Sequence, residues 1–431
     1  MNFSVEMENR MGRPVGIFGC GASGRAVAAY LKGRAVPYQL YDSRGEAGAK
    51  PVFGRNEAFL HDLIVFSPGF SPDHPWIAQA SAADCLCLGE LDFASCFWNG
   101  ETVAVTGTNG KTSLTEFLVA ALRTSGEEAY AVGNIGLPWT ELLQKTSGRR
   151  CVAVCEVSSF QAETLRAFSP DAVVWTNFAE DHLDRHHRMD AYFHAKWRLV
   201  ERGVAGLLIL EKSVRAAADT FGRRWPERAH SVDGDAPLPE GLSQTAFSRV
   251  PQRRNFALAL ELWRARGKDE AVLLEAARSF SAPPHRMAEV ARIRDVGFWN
   301  DSKATNFAAV LAALARFDRP VRWIGGGKSK GGDLASFTGK LRHQINKGYL
   351  IGETSRELAI LFARYDLPFK SCSTLPEAVE SAFEDCADGE NIVLSPGFAS
   401  FDQFESYAHR GDQFEESVSR LLNRRESTET L

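Results

Sequence analysis

Cysteine is scarce in this chain: eight residues in 431, with no C-x-x-C pair among them. That absence removes the usual sequence signs of a structural zinc site or a thioredoxin-like redox centre. Cys151 and Cys155 fall in the strand-like run CVAVCE, where a small buried thiol is the expectation. A chain without a disulfide pattern suits a reducing compartment. No apolar run approaches the ~18 residues that a membrane-spanning helix needs. The opening stretch MNFSVEMENRMGRP is polar and acidic, whereas a secretory signal is basic and then apolar. Positive charge is not in excess either: 50 Lys plus Arg stand against 54 Asp plus Glu, a formal net charge of −4. The basic footprint of a nucleic-acid binder or a polybasic membrane anchor is therefore missing. Low-complexity tracts and short repeats are absent as well. The expectation is a globular cytoplasmic protein with no nucleic-acid partner and no membrane insertion.

What is present is ordinary in bulk, with 44% apolar and 24% charged residues. The length allows two to four domains at ~100–200 residues each. Short apolar runs alternate with amphipathic stretches in three series. The first holds VGIF (15–18), YQLY (38–41) and LIVF (63–66), with helix-like segments after residues 24 and 73. The second begins with TVAVT (102–106) and continues through YAV, CVAVCE, DAVVW and GLLIL (206–210). The third holds FWN (298–300), VRWIG (321–325), GYLIG (348–352) and NIVLS (391–395), read as one βα unit per interval. Three α/β domains are expected, with seams at SCFWNGE (95–101) and at SAPPH (281–285), where Pro-Pro stops a helix.

Two glycine loops carry the first chemistry. Gly19, Gly21 and Gly24 lie between a strand and a helix, with Asp42 closing the next strand. Such glycines let backbone approach a phosphate at a helix N-terminus, and Asp42 occupies the place of a ribose-binding acid. Alone, this loop reads as an NAD site or as helix–strand packing. The second loop, GTNGKT at 107–112, follows TVAV and opens an amphipathic helix. Backbone N–H groups of Gly107, Thr108, Asn109 and Gly110 can cradle phosphates, Lys111 can neutralise them, and the Thr112 hydroxyl can reach Mg²⁺. It departs from the general phosphate-loop form, because Val105 stands where the first glycine would be. Glu156 ends the strand CVAVCE, and Asp181-His182 follow DAVVW. Strand C-terminal ends are where open α/β sheets collect ligands, so a metal and phosphate site is expected there.

Taken together, GTNGKT, Asn134-Ile-Gly136, Glu156-Val-Ser-Ser159, Asp181-His182 and Lys196 resemble the ATP-dependent Mur ligases of bacterial cell-wall synthesis. Further blocks match in order: SPG (67–69), SSFQ (158–161), Pro284-His285-Arg286, NDSKATN (300–306), Gly326 to Asp333, LSPGFASFDQF (394–404) and RGDQF (410–414). The resemblance covers essentially the whole chain, and the blocks follow the member that adds D-glutamate. It implies an α/β fold of three domains: N-terminal Rossmann-like (1–97), central P-loop ATPase-like (98–284) and C-terminal Rossmann-like (285–431). It implies that ATP phosphorylates the carboxylate of UDP-N-acetylmuramoyl-L-alanine and that the amine of D-glutamate attacks the acyl phosphate. The implied UDP-sugar contacts are Ser23, Gly24, Asp42, Ser43, Arg44, Ser67, Asn134 and Ser158. Residues 107–112, Asn255, Arg286 and Asp301 are implied for the nucleotide, and Thr112, Glu156, His182 and Lys196 for two Mg²⁺ ions. Lys196 would serve as a carbamate formed with CO2, since an ammonium cannot ligate Mg²⁺. Catalysis would fall to Lys111, His182, Lys196, Asp301 and Lys303. Thr305, Lys330, Ser400 and Tyr407 would hold D-glutamate, with Tyr407 standing where the family pattern usually has Phe. Partners would be these small molecules alone, and a monomer is expected.

Competing readings differ in what they require. Folylpolyglutamate synthase shares GTNGK but should lack NDSKATN, LSPGFASFDQF and RGDxF. A ligase adding diaminopimelate or lysine should carry a DNPR-type motif, which is not found here. An NAD-dependent dehydrogenase rests on the first glycine loop alone. A non-enzymatic UDP-sugar-binding regulator would need degenerate ATPase residues, and Lys111, Thr112, Glu156, His182 and Lys196 are all intact.

Overall fold

The computed structural model describes residues 3–46, 48–146 and 149–429. The chain folds as two compact units. One comprises residues 1–178, 190–241 and 255–279; the other comprises 179–189, 242–254 and 280–431.

The first unit holds two wholly parallel sheets. One is built from β1 (Val15–Phe18), β2 (Tyr38–Tyr41), β3 (Ala49–Lys50), β4 (Leu63–Phe66) and β5 (Leu86–Gly89), in the order β3-β2-β1-β4-β5. The other is built from β6 (Glu101–Thr106), β7 (Ala129–Gly133), β8 (Val152–Glu156), β9 (Ala172–Trp175), β10 (Leu207–Glu211) and β11 (Ala229–Val232), in the order β11-β10-β9-β6-β8-β7. β1, β4, β8 and β9 are buried at every residue. Helices cover both faces of such sheets, so their strands read as unbroken Val, Ile and Leu runs and not as alternating patterns.

The second unit carries β12 (Ala288–Ile293), β13 (Val296–Asn300), β14 (Val321–Gly326), β15 (Ile345–Ile351), β16 (Phe369–Ser371) and β17 (Asn391–Leu394). Their order is β12-β13-β17-β14-β15-β16, with β12 antiparallel to β13 and the rest parallel. The interval from GYLIG to NIVLS is not one βα unit. It contains the helix Ser355–Arg364, the strand β16 and the helix Leu375–Glu384. β16 has three residues and β3 has two, both at sheet edges, and neither supplies enough apolar alternation to announce itself.

Each sheet has a strand at which the chain order reverses: β1 between β2 and β4, β6 between β8 and β9, and β17 between β13 and β14. Ligands of open parallel sheets bind beyond the carboxyl ends of such strands. All eight cysteines are free thiols. Among the described residues, no helix is long and apolar enough to cross a membrane.

Candidate active site

The first glycine loop leaves β1 at its switch point. The Gly19 N–H donates to the Tyr41 carbonyl at 2.8 Å and the Ser67 N–H to the Phe18 carbonyl at 3.0 Å, so the loops after β1, β2 and β4 lie side by side. Gly24 allows the following helix, Ala22–Gly33, to sit on this turn, since a Cβ there would come 1.8 Å from the Gly19 carbonyl oxygen. Asp42 is buried and fully engaged. It accepts from the Cys20 N–H at 2.9 Å, the Arg44 N–H at 3.0 Å, and two Arg44 guanidinium N–H groups at 3.1 and 3.0 Å. The Arg44 hydrogen bonds hold its carboxyl below the usual carboxylate range, helped by the Cys20 amide and opposed by burial. Ser67 keeps a buried hydroxyl that has no hydrogen-bond partner among the described residues, and such a group is normally satisfied by a ligand or water. Ser23 is half-buried and Ser43 exposed beside them. Of the residues expected at the UDP sugar, these and Arg44 share one strand-end cluster.

The second loop leaves β6 and ends at Gly110, whose φ of +83° makes it a left-handed cap for the helix Lys111–Thr124. Its shape is fixed from β9. The Thr108 N–H donates to the Asn177 carbonyl at 3.1 Å, the Asn109 N–H to Asn177 Oδ1 at 3.0 Å, and Thr176 Oγ1 to the Asn109 carbonyl at 2.6 Å. Gly107 is obligatory, because a Cβ there would lie 1.9 Å from Thr176 Oγ1. Asn255, on the helix Gln252–Ala265, packs against Gly110 and donates to its carbonyl at 3.4 Å.

Two lysines meet at this loop. Lys111 Nζ donates to the Gly107 and Thr108 carbonyls at 2.9 and 2.8 Å, and Lys196 Nζ reaches the same Gly107 oxygen at 2.8 Å. Lys196 is buried on the helix Met189–Arg202. One turn earlier Tyr192 hydrogen-bonds Thr108 at 3.2 Å, and its ring centroid lies 4.9 Å from Lys196 Nζ. The two amines bring a cluster of N–H donors to the phosphate loop. On the neighbouring strand β8, Glu156 is buried; Asn134 Nδ2 donates to Oε1 at 2.7 Å, while Oε2 has no hydrogen-bond partner among the described residues. A buried carboxylate oxygen left open is a donor that fits a hard divalent cation. Among the described residues no cluster of three or more His, Cys, Asp or Glu forms a ready-made cage. Thr112 stands half-buried in the first turn of the helix. Ser158 is occupied locally, capping the short helix Ser159–Ala162 through reciprocal bonds with Gln161.

His182 belongs to the segment 179–189, which folds with the second unit. The expected metal set is thus divided, with Thr112, Glu156 and Lys196 in one unit and His182 in the other. The nucleotide set divides likewise: residues 107–112 and Asn255 in the first unit, Arg286 and Asp301 in the second.

In the second unit the loops after β13, β14 and β17 converge. Lys330 Nζ donates to Asp181 Oδ1 at 2.8 Å, and Asn306 Nδ2 to Oδ2 at 3.0 Å. Burial alone would raise the Asp181 carboxyl; the Lys330 charge, with His182 and Asn306, lowers it instead. Thr305, Lys330 and His182 line one narrow pocket with Phe398. Ser400 is buried at its own loop, and Tyr407 receives Lys303, whose Nζ sits 3.6 Å from the ring centroid. Arg410 lies fully buried, donating to Ser302 Oγ at 3.0 Å, to the Ser302 carbonyl at 2.8 Å and to the Phe398 carbonyl at 3.2 Å. It thereby ties the loop bearing Asp301 and Lys303 to the loop bearing Ser400. The sequence marks Asp181 as a strand-end acid and shows Asn306 and Arg410 only within motif blocks; which donors meet a buried acid is invisible along the chain.

Asp301 accepts from the Met287 N–H at 3.2 Å and from Ser395 Oγ at 2.9 Å. Burial pushes its carboxyl up to about 7, with the Ser395 hydrogen bond and Arg286 opposing. A carboxyl raised in the folded state costs nothing below the unfolded value of ~3.9 and destabilises increasingly as pH climbs toward 7. Asp301→Asn removes that penalty. Its thermal midpoint should exceed the wild type's by a few degrees near pH 8 and approach it below about pH 5, read by differential scanning calorimetry. An offset that does not change with pH would refute the burial account.

These sites stand in a chain whose residues 105–231 match the model of the Mur ligase middle domain. The chain belongs to the Mur ligase family. It is 35% identical to the UDP-N-acetylmuramoylalanine--D-glutamate ligase of Solibacter usitatus, the match covering 84% of this chain and 85% of that protein. It is 31% identical to the ligase of the same name from Nitrosospira multiformis, over 95% and 96% of the two chains. The fold is that of MurF ligase from Thermotoga maritima, solved in complex with ADP, at a TM-score of 0.58 and 15% identity over 87% of this chain and 98% of that one.

Proposed function

We propose that this chain ligates D-glutamate to UDP-N-acetylmuramoyl-L-alanine at the expense of ATP, in peptidoglycan precursor synthesis. The observation that carries the reading is the phosphate loop at the switch point of the second sheet, with Lys111 and Lys196 meeting at Gly107 and Glu156 on the strand paired to β6. Relatives sharing most of the chain carry this activity in their name.

The chemical difficulty is to bring a carboxylate up to a triphosphate. Lys111 and the loop N–H groups of 107–112 offset the negative charge of the phosphates, and Asn255, Arg286 and Asp301 hold the rest of the nucleotide. Ser23, Gly24, Asp42, Ser43, Arg44 and Ser67 bind the UDP group, with Asn134 and Ser158 supporting the sugar from the central part of the chain. Thr112, Glu156, His182 and a carbamylated Lys196 would hold the two Mg²⁺ ions. When bound, those ions would supply charge neutralisation and alignment for phosphoryl transfer. Lys303 stabilises charge at the acyl group, and the amine of D-glutamate displaces phosphate to leave an amide. Lys330 has ammonium N–H groups beyond the one given to Asp181, and these serve a substrate carboxylate beside Thr305, Ser400 and Tyr407. We also propose the division 1–97, 98–284 and 285–431, one sheet in each part, and a monomeric cytoplasmic enzyme.

The test is phosphate release with ATP, Mg²⁺ and UDP-N-acetylmuramoyl-L-alanine. Release should require D-glutamate and stay at background with L-glutamate, L-lysine or diaminopimelate. Equal turnover with diaminopimelate would overturn the amino-acid assignment.

A further inference from the structure

The helix Glu90–Ser95, six residues directly after β5, belongs to two cores at once. Phe93 packs into the core of the first sheet with Val15, Ile17 and Leu88. Leu91 and Ala94 pack into the core of the second sheet with Trp139, Leu165 and Phe168. Between these apolar residues stand two acids that the reaction does not use, and both are almost wholly buried: Glu90 at 3% exposure and Asp92 at 1%.

Among the described residues, neither acid is hydrogen-bonded to a cationic side chain. Glu90 Oε1 accepts from the Thr140 N–H at 2.7 Å and from Thr140 Oγ1 at 2.8 Å, at the opening of the helix Trp139–Thr146. A helix N-terminus is where a carboxylate is best received. Asp92 accepts three consecutive backbone N–H groups: Arg166 at 2.6 Å on Oδ2, then Ala167 at 3.0 Å and Phe168 at 2.7 Å on Oδ1. Burying two carboxyls is costly, and burial raises both despite these bonds. Apolar contacts alone would join the two sheets more cheaply, but only loosely in orientation. Hydrogen bonds to named amides fix one geometry.

What they fix matters for the site. The helix capped by Glu90 follows the loop Gly133–Pro138, whose Asn134 donates to Glu156 at 2.7 Å. The loop held by Asp92 leads from the short helix Ser159–Ala162, directly beyond Glu156, into β9, whose end supplies Thr176 and Asn177 to the phosphate loop. We infer that Glu90 and Asp92 are positioning residues: a buried carboxylate pair that locks the sheet binding the UDP sugar to the sheet binding ATP, so that the acceptor carboxylate and the transferred phosphoryl group are held in register. This rests on the ligase reading above.

The test is steady-state kinetics of the full chain with Asp92→Asn, Thr140→Val and Thr140→Ser, alongside ADP binding and the thermal midpoint. Asp92→Asn is isosteric but sets an NH2 donor against backbone N–H donors. It should lower kcat about 10-fold or more and raise the KM for UDP-N-acetylmuramoyl-L-alanine several-fold, with the Kd for ADP within about 2-fold of wild type. Thr140→Val, which loses only the hydroxyl, should move the same constants the same way by less, and Thr140→Ser should restore them; this pair carries the test if Asp92→Asn fails to fold. A lower midpoint with unchanged kinetic constants would overturn the proposal, as would an equal rise in every substrate's KM and in the ADP Kd. Absence of D-glutamate-dependent turnover in the wild-type chain would instead overturn the ligase reading.

Discussion

Lys111→Ala should reduce ligase turnover by roughly 100- to 1,000-fold while the protein keeps its fold. The side chain is half-buried at the first residue of its helix, whose N-cap is Gly110 and not Lys111. Removing it therefore costs local packing and hydrogen bonds to loop carbonyls, those of Gly107 and Thr108 among them, not a core. Its contribution to chemistry is of another size. Phosphoryl transfer involves little covalent work by the protein, so a charge placed at the phosphates acts mainly by electrostatic stabilisation in a site shielded from water. Losing one such preorganised group typically costs about 3–4 kcal/mol of transition-state stabilisation. The measurement is kcat and KM for ATP by phosphate release, with the thermal midpoint as control. A fall confined to the KM for ATP would mean that Lys111 binds ground state and transition state equally. Lys111→Arg should recover little, because the loop accepts a compact ammonium at two carbonyls and the wider guanidinium fork cannot take the same seat.

Much of this molecule was legible from its letters, and the boundary of legibility is physical. The central strands were plain because burial on both faces makes them continuous apolar runs, as in LIVF at Leu63–Phe66. The edge strands β3, β11 and β16 were not, since half-exposed positions such as those of Ala229–Val232 carry no such run. β12 was hidden for a related reason: it is amphipathic, charged and antiparallel, and its register breaks between Glu289 and Ala291. At the site, glycines and strand-end acids could be read because backbone geometry and sheet topology dictate where they stand. Partners across the fold could not. Nothing along the chain links Asp181 to Lys330, Asp92 to the amides of 166–168, or Arg410 to the Phe398 carbonyl. The apolar pattern says that a residue is inside; which donors meet a buried acid is decided by tertiary contact.

Lys196→Arg should lose most activity, on the order of 100-fold or more, and so should Lys196→Ala. The structure makes the expectation sharper than the sequence alone. Lys196 is 1% exposed, lies over the Tyr192 ring and shares the Gly107 oxygen with Lys111. The uncharged amine is the form that reacts with CO2: its lone pair attacks carbon, a proton leaves nitrogen, and an N-carboxylate remains. That product converts a group repelling Mg²⁺ into one offering two oxygens, which is the ligand class a hard divalent cation takes. Arginine retains the positive charge and cannot form the adduct, so it separates the two accounts of the site. If a cation beside Gly107 were all that catalysis required, Lys196→Arg would stay nearly active, and that outcome would defeat the carbamate. The independent readout is spectroscopic. Wild-type protein in ¹³C-labelled bicarbonate should show a carbamate carbon resonance that disappears in Lys196→Arg, and its intensity should track activity as CO2 is withdrawn. Activity that survives removal of CO2, with no such resonance in the wild type, would leave Lys196 as a structural ammonium and assign the open oxygen of Glu156 to other ligands.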